Sequence, residues 1–502
     1  MNIAVLANKA LRPFSMYKGM SLGLTAIWAV ALMLSFFGVL YFSPVALIAS
    51  TVVLATSTFL ASLACGKLFG VPSHLESSYI TGLILVLIFT PIADVAGLVV
   101  LAFIGLIAGA SKYVVILSGR HVFNPAAFAA VVVSLTGLSA ASWWVATPVL
   151  TPIVLAVVIV SLYQTKRFAV AGVFLAIAVP IIMLQLYLFG TPFLEAAWLL
   201  LSWPLLFFAG IMLVEPLTLP PRKWQMYIVA AVTGLLFAIP IKMGAFEMTP
   251  ALALIAGNIV AVIFARRQAI RLTFKGRTSL TPLSDEYTFT TSKPVYFVPG
   301  QYMEISLPHT KKDTRGIRRS FSITSLPGSK QISFGIKFYE PSSTFKKALK
   351  AIKAGTVINA TNVAGDFVLP NVSKQPLLFI AGGIGITPFI GHLRWLRSKN
   401  ESRDIVLLYA VGAPQDIAYQ DELEALGVKT VIISEHEPTG LPKAWHYVPS
   451  GLLTKDLLAS TVEDIADRIV YVSGPTPFVQ SVRRHAKSLK ALKVVSDYFS
   501  GY

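Results

Sequence analysis

Apolar residues follow two different patterns along the chain. In the first 265 residues they form long stretches separated by short polar loops, and in the remainder they form short runs between polar turns. A continuous run of about 20 apolar residues can span a bilayer as a helix. We therefore predict a bundle of about ten helices, with apolar stretches near residues 22–42, 44–64, 78–93, 95–117, 125–142, 150–164, 168–190, 198–214, 226–243 and 250–265.

The charged residues of this half predict its orientation. Basic residues occupy alternate loops: Lys112 and Arg120 follow the fourth stretch, and Lys166 and Arg167 follow the sixth. Loops rich in Lys and Arg stay on the cytoplasmic side of a membrane. This pattern predicts a multi-pass protein of the plasma membrane, with the lipid bilayer as a partner and both termini in the cytoplasm.

Two Pro-containing segments predict an internal repeat. Asn124-Pro125-Ala126 opens the fifth stretch and Thr249-Pro250-Ala251 opens the tenth, on the opposite predicted side. Pro at membrane depth often marks broken helices around a cavity. The spacing predicts two inverted repeats of five helices. The alternative interpretation is that each segment is an ordinary helix N-cap.

The second half predicts two further domains. Short alternating strands with Gly and Pro turns fill residues 278–373 and predict an antiparallel β-barrel. From residue 374 to 502 the pattern repeats strand, glycine turn and helix, which predicts a parallel, doubly wound α/β sheet. The predicted organisation is therefore a membrane domain (1–265), a basic linker (266–277), the barrel and the α/β domain.

Composition narrows the class of protein. The chain has 502 residues, of which 55% are hydrophobic and 13% are charged, which excludes a wholly soluble or disordered chain. The net charge of +18 divides into +6 for residues 1–265 and +12 for residues 266–502. Basic inner loops and a basic soluble half account for it, so we predict no nucleic-acid partner.

The metal-binding residue types are scarce. Cys65 is the only cysteine, which excludes an intramolecular disulfide and a four-cysteine iron–sulfur cluster within one chain. His74 and His121 are the only histidines of the membrane half, and both fall on predicted loops. Haem bound within helices needs axial ligands inside them. We therefore predict no haem, no iron–sulfur cluster and no other metal site.

One motif of the barrel carries chemistry. Arg319 begins the segment Arg-Ser-Phe-Ser-Ile-Thr-Ser, and an arginine can bind a pyrophosphate with two hydrogen bonds. Phe321 lies on the same face of an extended strand and can stack on a flat ring. The Ser322 hydroxyl can hydrogen-bond the edge of that ring. Taken alone, the segment fits an ordinary surface strand equally well.

Three later segments favour nucleotide binding. Ser342-Ser343-Thr344 precedes a helix, and Gly382-Gly383-Ile384-Gly385-Ile386-Thr387 joins an apolar strand to another helix. Glycines allow the backbone to approach a pyrophosphate, and a helix N-terminus favours its charge. Val472-Ser473-Gly474-Pro475 ends the fourth predicted strand, where doubly wound sheets bind ligands.

In this order and spacing, the motifs of residues 278–502 resemble the ferredoxin–NADP+ reductase family. The resemblance implies FAD on the barrel and NAD(P)H on the sheet, with Ser322, Thr387 and Ser473 as the catalytic residues. It implies FAD ligands at Arg319, Phe321, Ser322, Ser325, Ser343 and Thr344, and NAD(P)H ligands at Gly382, Gly383, Gly385, Thr387, Gly474 and Pro475.

The chain departs from this family at some positions. The family often has Tyr where Phe321 stands and Cys where Ser473 stands, which affects the rate rather than the type of reaction. Tyr502 ends the chain as in members whose terminus lies near the flavin, so it is predicted to cap FAD; a frayed end is the alternative. No basic residue follows the second strand in residues 409–415, which favours NADH over NADPH.

The membrane half resembles the family of membrane proteins called B in the Na+-translocating NADH:quinone reductase and D in the Rnf complex. The segments 74–83, 119–126 and 212–220 carry this resemblance. It implies FMN or riboflavin within the bundle, with Asn124 among its ligands, and electron transfer through the membrane.

The family attaches FMN to a threonine that follows Asp/Ser-Gly-Ala. The nearest match here, Thr147, lacks the acidic and glycine residues, so covalent attachment there is doubtful. Noncovalent flavin against Trp143 or Trp144 and an interfacial aromatic belt are the alternatives.

Together these features predict a single-chain flavoprotein that oxidises NAD(P)H. A hydrocarbon core about 30 Å thick separates a cytoplasmic FAD from the far side, so electrons that cross it need further cofactors. The predicted acceptor is quinone or an extracytoplasmic compound, and ion coupling, a homodimer and a partner subunit are left open. The alternatives are a redox-sensing transporter and a membrane-anchored reductase without an electron relay.

Overall fold

Two units divide the chain, residues 1–268 and 269–502. The computed structural model describes residues 15–70, 75–117, 120–243, 246–264, 270–310, 313, 316–339 and 341–498. Tyr502 and His74 lie outside these residues, so the structure does not test the predicted FAD cap.

Helices account for most of the first unit. They are α1 (Met16–Phe36), α2 (Pro44–Leu68), α3 (Leu75–Ile88), α4 (Val95–Val114), α5 (Pro125–Leu135), α6 (Thr151–Thr165), α7 (Phe168–Leu188), α8 (Phe193–Leu199), α9 (Leu205–Phe207), α10 (Lys223–Ala238) and α11 (Pro250–Phe264). Two short antiparallel hairpins join β1 (Ile116–Leu117) to β2 (Arg120–His121) and β3 (Lys242–Met243) to β4 (Phe246–Glu247).

Every predicted apolar stretch contains helix, but the helices differ in length. Five of the described helices are long and apolar enough to cross a membrane, or six if the bent pair 193–202 and 205–212 forms one span. This pair bends by 54°, and its second part includes a π-helical turn at Phe208–Met212. Four further apolar helices have 10–17 residues. The count of ten membrane spans therefore stays a prediction.

The packing partners recur five predicted stretches apart. Helix α2 packs along α4, and α7 packs along α10; the first helices α1 and α6 contact each other, as do the last helices α5 and α11. In both halves a two-stranded hairpin precedes the last helix, which begins at a proline. This recurrence fits a structural repeat, while its inverted orientation remains a prediction.

Glycine permits the closest of these helix contacts. A Cβ atom on Gly109 of α4 would lie 2.5 Å from the Thr58 carbonyl oxygen of α2. A Cβ atom on Gly234 of α10 would lie 3.0 Å from the Phe174 carbonyl oxygen of α7. Small residues at such positions let helix backbones approach closely, which favours association within a bilayer.

The second unit begins with a curled antiparallel sheet. Its strands are β5 (Ile270–Thr281), β6 (Ser284–Val295), β7 (Tyr302–Ser306), β8 (Arg318–Ser322), β9 (Ser329–Lys337) and β10 (Val357–Ala364), in the order β8-β7-β10-β5-β6-β9. The sheet and helix α12 (Thr344–Lys350) enclose an aromatic core. We call residues 270–364 the barrel lobe.

The predicted linker 266–277 requires a correction. Residues 270–277 form the first part of β5 rather than a linker. Leu272 and Phe274 are buried in the barrel core, while Arg271 and Lys275 between and beside them are exposed. Side chains of a strand alternate between its faces, and the run of basic residues obscured this alternation in the sequence.

A parallel sheet completes the second unit. Its strands are β11 (Leu377–Gly382), β12 (Ile405–Ala410), β13 (Lys429–Ser434), β14 (His446–Pro449), β15 (Ile469–Gly474) and β16 (Lys493–Tyr498), in the order β14-β13-β12-β11-β15-β16. Its helices are α13 (Thr387–Ser398), α14 (Gln420–Ala425), α15 (Lys455–Thr461) and α16 (Thr476–Ser488). We call residues 365–498 the nucleotide lobe.

Candidate functional site

The direction of winding reverses between strands β11 and β15. The chain runs outward from β11 through β12 and β13, and returns to pair β15 on the other side of β11. Doubly wound sheets bind ligands at the carboxyl ends of the strands where this reversal occurs. Helices α13 and α16 both begin at this edge, directly after β11 and β15. Their N-terminal N–H groups favour an anion there.

The glycine turn after β11 is closely packed against the end of β15. Gly383 has φ +54°, a conformation that favours glycine. A Cβ atom on Gly385 would clash with the Ser473 carbonyl oxygen. Backbone therefore meets backbone at this point, as the sequence motif predicts for a turn that approaches a pyrophosphate.

Thr387 joins this edge to the barrel lobe. It is the first residue of α13, and its hydroxyl donates a hydrogen bond to the Ile384 carbonyl oxygen at 3.1 Å. A Cβ atom on Gly335 of β9 would lie 2.6 Å from Thr387 Cγ2. The start of α13 therefore lies against strand β9.

Two predicted catalytic residues carry buried hydroxyl groups. Ser473 is 0% exposed and Ser322 is 2% exposed. Neither hydroxyl has a hydrogen-bond partner within the described part of the chain. A buried polar group without a partner costs about 1–3 kcal/mol. Two such hydroxyls at these motif positions fit the polar ring atoms of a bound cofactor.

The predicted FAD phosphate ligands surround a carboxylate. Asp313 Oδ1 lies 3.5 Å from Arg319 Nη2, and Asp313 Oδ2 accepts a hydrogen bond from the Thr344 backbone N–H at 3.2 Å. The Arg319 guanidinium also lies 5.2 Å from the centre of the Phe345 ring. Ser343 caps α12, because its Oγ accepts a hydrogen bond from the Lys346 N–H at 3.3 Å. These residues are thus arranged around an anionic group.

The remaining predicted FAD ligands make structural contacts. The ring of Phe321 is only 3% exposed, and its centre lies 6.1 Å from those of Phe334 and Phe345. In this packing the ring has no open face for a flavin. Ser325 Oγ accepts a hydrogen bond from the Ser333 N–H at 3.2 Å and joins the end of β8 to β9.

An ionic network that the motif search did not identify joins the two lobes. The Arg394 guanidinium of α13 donates to Glu286 of β6 at 2.9 Å and to Glu422 of α14 at 2.6 Å. Thr324 and Tyr419 donate to Glu286 Oε1 at 2.6 and 3.1 Å. Burial lowers the pKa of Arg394, but its hydrogen bonds to the two carboxylates raise that pKa by more, so the guanidinium stays charged.

A buried histidine makes a second contact between the lobes. The ring of His392 in α13 lies within hydrogen-bond reach of two carbonyl oxygens, Phe367 at 2.8 Å and Pro299 at 3.2 Å from Nε2. Burial lowers the pKa of His392 to about 4. The ring is therefore neutral at pH 7, with its proton on Nε2. The helical spacing of Thr387, Gly391 and Arg394 was the available sequence signal that this helix face lies against the barrel lobe.

In the first unit, two segments of the predicted flavin site meet. The Asn124 side chain donates to Glu215 Oε2 at 2.9 Å, and its backbone N–H donates to Asn258 Oδ1 at 2.9 Å. His121 Nε2 lies 3.5 Å from Glu215 Oε1. Asn124 Oδ1 accepts two hydrogen bonds from the start of α5, so the N-cap interpretation is confirmed for Asn124. Asn258 was not identified from the sequence.

Thr147 lies in a short 3₁₀ segment beside two buried tryptophans. Its hydroxyl donates to the Trp144 carbonyl oxygen at 2.6 Å. The Trp144 indole donates to the Val86 and Phe89 carbonyl oxygens at 2.7 and 2.9 Å. Trp143 and Trp144 are both buried within the unit. The interpretation of the two rings as an interfacial aromatic belt is therefore wrong, because a belt ring faces lipid.

Comparisons with known proteins agree with the class of this site. The model of the family described as "Oxidoreductase NAD-binding domain" matches residues 379–484. NADH oxidoreductase HCR of Escherichia coli is 26% identical over 201 residues, which cover 40% of this chain and 58% of that protein. The reductase component of propane 2-monooxygenase from Rhodococcus jostii is 30% identical over 193 residues, which cover 37% of this chain and 50% of that protein.

Among solved structures, the flavohem-like FAD/NAD-binding domain of nitric oxide dioxygenase from Vibrio cholerae aligns with a TM-score of 0.40 at 19% identity, covering 46% of this chain and 99% of that chain. The chain spans about half to three fifths of the length of the two curated relatives above. The comparisons confirm that the second unit contains an NAD-binding oxidoreductase domain of the ferredoxin–NADP+ reductase type. The prediction of an NAD(P)H-dependent oxidoreductase is thereby confirmed.

Proposed function

We propose that this protein is a membrane-embedded flavoprotein that oxidises NAD(P)H, NADH being preferred, and passes the electrons into the membrane. The carrying observation is the edge where β11 and β15 end. There the Gly385 turn, the start of α13 and the unpartnered Ser473 hydroxyl converge within the described residues, and Thr387 packs against β9 of the barrel lobe.

The residues of the second unit suit distinct parts of this reaction. FAD, when bound, accepts a hydride as an electron pair and can release electrons one at a time. The turn at Gly383 and Gly385 and the N–H groups of α13 would bind the dinucleotide pyrophosphate. Ser473 would donate its hydroxyl at the nicotinamide end, and Ser322 would donate at the flavin end.

The FAD phosphate groups would be bound by Arg319, Ser343 and Thr344. Asp313 contacts both Arg319 and Thr344, so this binding includes the displacement of a carboxylate by another anion. Phe321 would stack on the flavin only after leaving its packing against neighbouring rings of the barrel core. Tyr502, the last residue of the sequence, is retained as the proposed FAD cap.

We propose residues 1–265 as a transmembrane electron-transfer domain with both termini in the cytoplasm. The length and apolar character of its five longest helices support a membrane location. An FMN or riboflavin near Asn124 or Thr147 would supply the relay that a core of about 30 Å requires. The proposed acceptor is quinone or an extracytoplasmic compound.

The flavin content of the purified chain tests this proposal. We expect more than one flavin per chain, and we expect anaerobic NADH to bleach all of it. Extraction after denaturation would release free flavin if Thr147 is not an attachment site. One flavin per chain would reject the relay and leave a membrane-anchored reductase, and a chain that binds no flavin would reject the proposal entirely.

A further inference from the structure

The net charge of the second unit belongs to one of its lobes. Residues 270–364 contain 15 Lys and Arg against 5 Asp and Glu, whereas residues 365–502 contain 14 of each. The barrel lobe therefore carries about all of the positive charge, while the nucleotide lobe is neutral overall. An asymmetry of this size indicates an interaction with an anionic surface.

The exposed basic residues of the barrel lobe lie on two adjoining elements. The Arg277 guanidinium of β5 donates to the Lys350 carbonyl oxygen of α12 at 3.3 Å. The turn after α12 also pairs with β5, since the Gly355 N–H donates to the Phe274 carbonyl oxygen at 2.9 Å. We call the following exposed residues the basic face: Arg271, Lys275, Arg277, Lys347, Lys350 and Lys353.

Other cations of the lobe are occupied elsewhere. Lys337 pairs with Asp416 at 2.7 Å, and Arg318 lies 3.8 Å from Glu304. On the basic face, the ion pair found among the described residues joins Arg277 to Asp285 at 3.9 Å. The charge of this face is therefore largely uncompensated by the described acidic residues of the lobe.

The basic face also includes an exposed apolar side chain. Val357 is 54% exposed and pairs with Thr273 of β5, one residue from Leu272 and two from Arg271 along the strand. Four of the six cations are lysines, whose aliphatic stems can lie along apolar groups while the ammonium reaches a polar layer. Cations around an accessible apolar residue suit the headgroup region of a membrane.

Chain connectivity limits the distance of this face from the last membrane helix. Helix α11 ends at Phe264 and β5 begins at Ile270. Six residues of extended chain span at most about 22 Å. The start of β5 therefore lies within that reach of the helix end, and basic residues close to a cytoplasmic membrane surface are attracted to its anionic lipids.

We propose that the basic face binds the anionic headgroups of the cytoplasmic leaflet. This inference rests on the proposed membrane location of the first unit. Lipid is favoured over an acidic protein by the short connection, by Val357 and by the lysine content. Binding would hold the barrel lobe at the membrane surface and leave the neutral nucleotide lobe accessible to NAD(P)H.

Hydrogen exchange on the full chain tests the proposal. The protein is placed in nanodiscs of phosphatidylcholine, with or without phosphatidylglycerol, and exchange is followed in residues 270–278 and 344–357. We expect exchange to slow several-fold in the anionic discs. The protection should disappear at about 1 M salt, where the Debye length falls to about 3 Å.

A charge variant and a matched control sharpen the test. The triple variant Lys347→Gln, Lys350→Gln and Lys353→Gln should lose the protection but keep NADH oxidation with ferricyanide, because these residues lie outside the proposed cofactor ligands. Arg483→Gln, Arg484→Gln and Lys487→Gln remove three cations from α16 of the neutral lobe. This control should retain the protection.

Three results would overturn the proposal. They are equal exchange in both lipids, protection that survives the triple variant, and protection that requires an added acidic protein rather than lipid. Recovery of the wild-type chain outside the discs would remove the membrane location on which both proposals rest. Ferricyanide reduction by that material would then show that the NADH-oxidising function persists without it.

Discussion

Ser473 illustrates how a single hydroxyl can favour function over stability. It is fully buried at the end of β15, and its Oγ has no partner among the described residues. Replacing such a group by a hydrogen removes the cost of an unsatisfied polar atom, about 1–3 kcal/mol. The residue is useful at this position only if a ligand supplies the partner.

The Ser473→Ala variant should therefore separate stability from rate. We expect an unchanged or higher Tm without nucleotide, and roughly 10-fold slower flavin reduction by NADH in stopped-flow absorbance, because one hydrogen bond to the ligand is lost. Ser333→Ala is the control, since the Ser333 hydroxyl already bonds Thr288 at 3.1 Å. It should lower Tm and leave the rate unchanged. Equal rates in wild type and Ser473→Ala would refute the proposed role.

His392 should make the second unit sensitive to acid. Burial lowers its pKa in the folded protein to about 4, from the ordinary value of 6.5. The unfolded chain binds more protons than the folded chain between these values, so the free energy of unfolding falls as the pH falls from 6.5 toward 4. Thermal unfolding at several pH values should show this loss.

The His392→Gln variant should have a flatter pH profile across the same range, because its amide does not titrate and can still donate toward the Phe367 carbonyl oxygen. An unaltered profile would assign the acid sensitivity to other groups.

At the scale of elements, helix α13 couples the two lobes through Arg394. Loss of one partner from a buried ionic network leaves its carboxylates uncompensated, at a cost of about 3–5 kcal/mol. Arg394→Met should therefore lower Tm and slow hydride transfer from NADH. Arg397→Met, an exposed arginine on the same helix, should do neither.

A double variant checks that the network acts through Glu286. Removing its charge as well, in Glu286→Gln with Arg394→Met, should destabilise the protein less than the sum of the two single changes, because the pair is then absent as a whole. Strict additivity of the changes in free energy of unfolding would contradict a direct coupling.

Local patterns explain which elements could be predicted. The parallel sheet followed from strand, glycine turn and helix, since each of these signals spans only a few adjacent residues. The beginning of β5 was missed because Arg271 and Lys275 concealed the buried Leu272 and Phe274. The contact between Arg394 and Glu286 joins residues 108 positions apart, and nothing in either local sequence specifies such a pairing.

The site was predictable to a similar extent. The motifs located the glycine edge and its buried serines, because phosphate binding requires residue types that can be read locally. The packing of Phe321 and the carboxylate of Asp313 between Arg319 and Thr344 depend on the folded barrel lobe. They could not be obtained from spacing alone.

For the whole molecule, the first unit should control location. Five of the described helices have 18 or more residues and are apolar enough to span a bilayer. The chain should therefore remain in the membrane pellet after an alkaline carbonate wash, which removes proteins held only by charge. Release into the supernatant, measured by immunoblot, would contradict a transmembrane location.

Asn124 has a consequence for the order of biosynthesis. It caps α5, yet its backbone N–H bonds Asn258, which lies 134 residues further along the chain. At a synthesis rate of about 5–20 residues per second, that partner emerges on the order of ten seconds later. The start of α5 must therefore wait with an open donor while the second group of helices is made, so the first group completes its hydrogen bonding only when translation of the last helix has finished.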